Sequence, residues 1–425
     1  MAYLLTIISI VLAYFSPADM IPSLAPYHIQ QIILLPAFLT SFMSMSMRRA
    51  SLPWPQYLLV LGFWGAVVMS VLSKFWLRNA LNAFIAIALL AGIYFLVYIN
   101  AFTLPRIRMV GLAMSICAVL MALMAIFAYH AGYWEAKLLN MKVEEGLIMY
   151  KRVSGLGVLH DPNDFAQFLL IGLAFLGFFW RKENSVASFI LLCPAAMILV
   201  YATYLTFSRG ALFGLAVILF VAISGRIGKV GSAFAAGVLF LFMLTMKFGG
   251  GREISLNEGS AAGRIVAWGS GIAQLRHSPL FGSGFGQFTE YNDLTAHNSF
   301  VLCFAELGLF GYFFWLGLII VTVWGLEKLT RMPMNRDRSQ LEYVRCLTTV
   351  RAALYGFLMT AWFLSRTYTE TLYIILALAA VLIQMRRKEF PKMETAPNKW
   401  VPMTIAFQLA SIVLVYVLVR LRSFG

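Results

Sequence analysis

The sequence predicts an all-α, polytopic membrane protein, and three observations carry that prediction. Hydrophobic residues make up 61% of the 425-residue chain and charged residues only 12%, against about 45–50% and about 25% in a soluble domain. Mean hydropathy is +0.81. The apolar residues also come in continuous runs, without the alternation of a transmembrane β-strand, so the spans must satisfy their backbone within helices. A water-soluble enzyme, a disordered chain, a coiled coil and a disulfide scaffold are all excluded.

A spanning helix needs about 20 apolar residues. Candidate runs lie near 3–18, 28–47, 55–73, 79–99, 107–130, 164–180, 185–206, 211–224, 231–247, 297–325, 347–365, 370–385 and 400–419. The runs at 211–224 and 370–385 are short, so about 12 transmembrane helices are expected, with room for a thirteenth. The chain then reads as N-terminal transmembrane helices over 1–130, a core over 131–325 that contains a long loop at 248–296, and C-terminal helices over 326–425. The opening MAYLLTIISIVLAYFS has no basic flank and no A-x-A-like cleavage site, so it reads as a retained first span. Cys117, Cys193, Cys303 and Cys346 lie in or beside apolar runs with no CxxC spacing, as small buried hydrophobes would.

The net charge of +15 would suggest nucleic acid in a soluble protein. Here the cations sit in short links and set orientation. Arg48 and Arg49, Arg106 and Arg108, Arg181 and Lys182, and Arg226 and Lys229 follow every second span. So do the links at 328–345 (with Arg336) and 386–392. Placing these on the cytoplasmic side puts 131–163, 207–210, 248–296 and 366–369 on the external side. The 248–296 loop is too long to be a plain connection. Within it Ile265, Trp268, Ile272 and Leu275 recur at helical spacing, with Arg264 and Gln274 off that face. This predicts a short amphipathic helix in the headgroup layer.

In so apolar a chain, ionisable residues at span ends on one side carry the functional signal. Four clusters fall on the external side: KRVSGLGVLHDPNDFAQ (151–167), TFSRGALFG (206–214), the segment from 259 to 300, and SRTYTE (365–370). Arg209 sits at a tight turn between two apolar runs, where a guanidinium offers phosphate a fixed fork of donors; a snorkelling arginine is the alternative. Arg264 reads the same way. Together with Arg152, Arg276 and Arg366 they suggest a diphosphate-binding face. His297 opens a long apolar run and is placed to act as a general base or a donor; an interfacial histidine that only caps or hydrogen-bonds is the alternative. Around His160, the Asp161 and Asp164 pair reads as a helix-capping turn with Asp161 or Asn163 at the cap, in preference to a cation site. Gly282, Gly284 and Gly286 match neither a P-loop nor a dinucleotide fingerprint and predict a tight loop with close backbone approach. Glu306 reads as an interhelical hydrogen-bonding group on the helix face opposite His297, with Gly308 and Gly311 beside it for close helix packing.

Taken in order, SRGALFG, GR-I-x-x-W, HSPLFGSGFG, AHNSF and AELGLFG resemble the O-antigen ligase and O-antigen polymerase superfamily over roughly 150–315, and HDPNDFAQ is similar to an earlier landmark of the same group. The resemblance implies an inverting, metal-independent glycosyltransferase with no cofactor, working on the periplasmic face of the Gram-negative inner membrane. Its donor would be a glycan on undecaprenyl diphosphate and its acceptor a sugar hydroxyl of lipid A-core. The family's paired arginines fall on Arg209 and Arg264, and its histidine on His297. A polymerase, a protein O-oligosaccharyltransferase and a non-catalytic transporter of lipid-linked glycan are the alternatives. A transporter is disfavoured because the polar residues gather at one surface and no internal repeat is visible.

Overall fold

The computed structural model describes the chain except for residues 16, 28, 48–50, 145–146, 246–258, 334–336 and 424–425. Arg48, Arg49, Arg336 and the first part of the 248–296 loop therefore lie outside the described residues. The fold is all-α, as the composition requires. The helices are α1 (Ala2–Tyr14), α2 (Pro17–Met20), α3 (Ile29–Met47), α4 (Gln56–Leu72), α5 (Leu77–Asn100), α6 (Leu104–Ala131) and α7 (Glu135–Leu138). There follow α8 (Pro162–Phe175), α9 (Ser185–Leu205), α10 (Arg209–Thr245) and α11 (Gly259–His277). The chain ends with α12 (Ser299–Thr330), α13 (Arg338–Ala361), α14 (Glu370–Glu389) and α15 (Trp400–Ser423).

Among the described residues, 9 helical stretches are long and apolar enough to cross a membrane, and α4 is a shorter apolar helix. The expected 12 exceeds this because α4, α13 and α14 do not meet that standard. In α14 the reason is charge, with Glu370 in the first turn and Arg386, Arg387 and Lys388 in the last. The runs at 211–224 and 231–247 form the two helical segments of α10, which meet at a non-helical break at Gly228 (φ 74°).

An antiparallel hairpin, β1 (Leu139–Glu144) and β2 (Leu147–Val153), pairs Asn140 with Arg152. The sequence reading held no strand there.

The chain forms two compact units, each assembled from three separate stretches. The first comprises Met1–Arg49, Leu96–Arg252 and Pro333–Thr360. Within it α6 packs on α8 and α9, and α8 packs on α9 and α10. The α6–α8 approach is close because Gly172 faces Ala118, and Ser115 Oγ donates to the Gly172 carbonyl at 3.0 Å; small residues at such contacts let apolar helices meet. Polar side chains join helices as well: Asn100 donates to Thr6 and Ser41, Gln167 to Thr360, and Arg108 pairs with Glu342.

The second unit comprises Ala50–Phe95, Glu253–Met332 and Ala361–Gly425. Its centre is α12, which packs on α4, α11, α14 and α15. Helix α12 is broken at Gly308 (φ 63°, ψ −167°), and the break is answered by the glycine loop that follows α11. Ser283 and Gly284 donate their amides to the Ala305 and Glu306 carbonyls, both at 2.9 Å. In return Leu309 and Phe310 donate to the Pro279 and Leu280 carbonyls at 2.8 and 3.1 Å. Gln408 of α15 donates to the Leu309 carbonyl at 2.7 Å. A break at membrane depth is tolerated where protein re-satisfies the freed backbone groups, and here a loop and a neighbouring helix do so.

Candidate active site

The second unit gathers three of the residues singled out by the sequence around the start of α12. Helix α11 presents Trp268, Ile272 and Leu275 inward, each 8% exposed. The apolar face expected to meet lipid headgroups is thus covered by protein, since α11 packs on α12 and α15. Gln274, expected off that face, is buried too, with its Oε1 accepting from Ser283 Oγ at 2.8 Å. Trp268 donates its indole N–H to the Ala296 carbonyl at 3.1 Å. Arg264 stands one helical turn before Trp268, and His297 is the next residue after Ala296, so this one bond ties both residues' elements together.

His297 lies outside α12. It adopts a left-handed conformation (φ 46°) that a non-glycine residue seldom takes, and Asn298 follows as the helix cap, accepting from the Phe300 and Val301 amides at 2.9 and 3.1 Å. Strain of this kind persists only where surrounding contacts hold it. They do so here: Ser299 Oγ donates to the Leu364 carbonyl at 2.6 Å and accepts from the Arg366 amide at 2.8 Å, and Thr367 Oγ1 donates to the Ser299 carbonyl at 2.7 Å. The SRTYTE segment is therefore knitted to the residues just after His297, and Arg366 is carried with it. Arg264, His297 and Arg366 are all half-buried.

Glu306 is buried and accepts from the Phe288 amide at 3.1 Å and from Tyr368 Oη at 2.9 Å. Both partners lie in loops, so its role is to join the glycine loop and the SRTYTE segment to α12, and not to bridge two helices. Desolvation and the Glu306 carboxylate push the Tyr368 hydroxyl well above the usual tyrosine range, which keeps it a donor. The comparison of helix faces between His297 and Glu306 does not apply, because His297 is not helical. Gly308 likewise meets the backbone of Leu280 and Gly282, a loop and not a helix. The glycine loop shows the close backbone approach expected, with Gly282, Gly284 and Gly286 all at positive φ.

Arg276 is set apart from this group. It lies twelve residues after Arg264 on α11, about 18 Å along the axis, exposed, with its guanidinium 5.3 Å from the Tyr416 ring centre.

The first unit carries Arg209 and Arg152. Arg209 is the first residue of α10, and it follows a tight turn in which Phe207 is left-handed (φ 49°) and the Ser208 amide donates to Thr206 Oγ1 at 3.3 Å. Arg152, on β2, braces that turn: its Nε donates to the Thr206 carbonyl at 2.7 Å and its Nη2 to Asn163 Oδ1 at 3.0 Å. Asn163 belongs to the start of α8, where Asp161 caps the helix by accepting from the Asn163 and Asp164 amides. The capping turn is present as read, and His160 beside it is exposed.

A broken apolar helix, capped by a loop and flanked by arginines and a strained histidine, defines a polytopic membrane protein with a polar centre at one end of α12. Residues 194–316 match the family model described as O-antigen ligase, so the chain carries a domain of the O-antigen ligase superfamily. The match takes in Arg209, Arg264, the glycine loop, His297 and the α12 break. Members of that family are glycosyltransferase-like ligases and polymerases acting on lipid-linked glycans. No curated protein matches the chain.

Proposed function

We propose that the protein is an O-antigen ligase: an inverting, metal-independent glycosyltransferase that moves a glycan from undecaprenyl diphosphate to a sugar hydroxyl of lipid A-core, at the periplasmic face of a Gram-negative inner membrane. The observation that carries this reading is that the Trp268–Ala296 and Arg366–Ser299 hydrogen bonds hold the elements bearing Arg264 and Arg366 to the segment around strained His297. His297 takes the proton of the acceptor hydroxyl, whose oxygen attacks the anomeric carbon on the side away from the diphosphate. The new C–O bond forms as the bond to the diphosphate breaks, and the electron pair leaves on the diphosphate. Arg264 meets the growing negative charge with donors already in place, which is the strongest form of transition-state stabilisation. Arg209 suits the same chemistry on its own position, since a helix start adds free amides to a guanidinium.

The test is a surface-glycolipid gel from cells lacking the protein, complemented with wild type or His297→Ala. Unmodified lipid A-core with polymer accumulating on the lipid carrier is expected without the protein and with His297→Ala. Core bearing a single repeat unit would instead assign a polymerase, and an unchanged ladder would reject both.

A further inference from the structure

The glycine loop has a second neighbour in the same unit, the short link between α4 and α5. Lys74 Nζ donates to Ser278 Oγ at 3.2 Å, and the Phe285 amide donates to Ser70 Oγ at 3.1 Å. A Cβ on Gly284 would stand 3.5 Å from the Trp76 ring, at ordinary contact distance, so the indole lies against the loop. Phe75, between Lys74 and Trp76, is left-handed (φ 61°) and almost fully exposed at 89%. An aromatic residue seldom adopts that conformation, and strain of this kind collects at ligand sites.

These contacts shape an open cavity lined by Trp76, Leu77, Arg78, Asn79 and Gln287. Among the described residues, no acidic side chain pairs with Arg78, and the Asn79 and Gln287 amides are not committed to hydrogen bonds. Its lining brings together an indole, a cation and two planar amides. A site with an apolar platform and a few placed polar groups suits a small polar ligand. The mixture selects further, because the guanidinium matches phosphate or carboxylate oxygens, the amides can both donate and accept, and the indole supplies a flat apolar surface.

The geometry points to this cavity as a binding site for a sugar that bears a phosphate or carboxylate group, with Arg78 on the anion, Asn79 and Gln287 on hydroxyls, and Trp76 against the ring. The cavity is mechanically continuous with the polar centre: two residues before Gln287, the Phe285 ring meets Tyr368 edge to face at 4.7 Å, and Tyr368 follows Arg366 by two residues. The site holds glycan while the reaction proceeds at His297. That role in transfer rests on the function proposed above; the binding itself does not.

The experiment uses the full chain in lipid nanodiscs and ligand-observed saturation-transfer NMR with three probes: glucose 6-phosphate, glucose and inorganic phosphate. Glucose 6-phosphate is expected to bind wild type more tightly than either other probe, and Arg78→Ala to weaken it about tenfold, as loss of a charge-assisted hydrogen bond does. Trp76→Ala should weaken glucose 6-phosphate and glucose but not phosphate. Arg78→Lys, which keeps the charge, should bind between wild type and Arg78→Ala and unfold at the wild-type temperature. No binding to wild type, equal binding in wild type and Arg78→Ala, or phosphate binding as well as the sugar phosphate would each overturn the site. In a transfer assay Arg78→Ala should raise KM for one substrate and leave kcat unchanged; the substrate affected shows whether acceptor or donor glycan occupies the cavity. Unchanged KM for both would overturn the role in transfer. Absence of transfer by wild type would count against the proposed function alone, since the NMR result stands without it.

Discussion

Gly282 and Gly308 meet backbone to backbone, each at positive φ, with the position of a Cβ on either one 2.6 Å from the amide nitrogen of the other. The contact is what allows α12 to break and the glycine loop to cap it. Alanine at either position meets both a strained backbone and a collision with backbone atoms that cannot swing aside. We expect Gly282→Ala and Gly308→Ala each to cost more than about 2 kcal/mol, read as a lower unfolding temperature in detergent. Gly65→Ala is the control: nothing lies within 4 Å of its Cβ position and it sits in α4, so it should be neutral or slightly stabilising. Equal behaviour of all three would contradict the pairing.

Glu306 serves two donors at once. Glu306→Ala leaves the Phe288 amide and the Tyr368 hydroxyl without their acceptor, at a cost of about 1–3 kcal/mol for each group left unsatisfied. Tyr368→Phe removes one donor together with its need for a partner and should cost only about 0.5–1.5 kcal/mol. Thermal unfolding of the two variants checks this order, and a reversed order would show that the carboxylate is not the joint between these segments.

Trp268→Phe keeps the apolar face of α11 but deletes the indole N–H that holds the Ala296 carbonyl. Because that bond positions the residue before His297, kcat is expected to fall about tenfold, the effect of a misplacement of a fraction of an ångström at a reacting group. The unfolding temperature should fall as well, by the equivalent of about 1–3 kcal/mol for the buried Ala296 carbonyl left unpaired. Steady-state kinetics on the reconstituted enzyme decides; a change in stability with unaltered kcat would make the tryptophan a packing residue only.

His297→Ala, Arg209→Ala and Arg264→Ala are each expected to lower transfer by about 10²-fold or more while the chain stays folded. Retained activity in both arginine variants would sink the diphosphate-binding role. Transfer should also survive a chelator at full rate. Strict dependence on Mg²⁺ or Mn²⁺ would replace the arginines with a metal as the neutraliser of the leaving group.

The long helices were legible in the sequence because a continuous apolar run has few other ways to satisfy its backbone in lipid. The α12 break was not, since AELGLFG, Glu306 apart, stays apolar and in helical phase. What breaks the helix is a loop more than twenty residues away, and no local pattern encodes that. His297 and Arg264 stood out as polar residues in apolar surroundings. The Trp268 anchor did not, because an aromatic at helical spacing looks the same whether its N–H faces lipid headgroups or a carbonyl. The hairpin around Arg152 was missed for a related reason: LNMKVEEGLIMYKRV sits between spans, and its short alternation was absorbed into a link.

The two units have an order of manufacture as well as an architecture. Each takes its first stretch from residues 1–95, its second from 96–332 and its third from 333–425, so neither is finished before Thr360 has been added. A polypeptide stopped after Met332 would hold neither unit complete: the first would lack α13, and the second would lack α14 and α15. The α12 break illustrates the dependence, because its Leu309 carbonyl waits for Gln408, added about a hundred residues later. Single-cut fragments of this chain should therefore regain structure only when both pieces are made together.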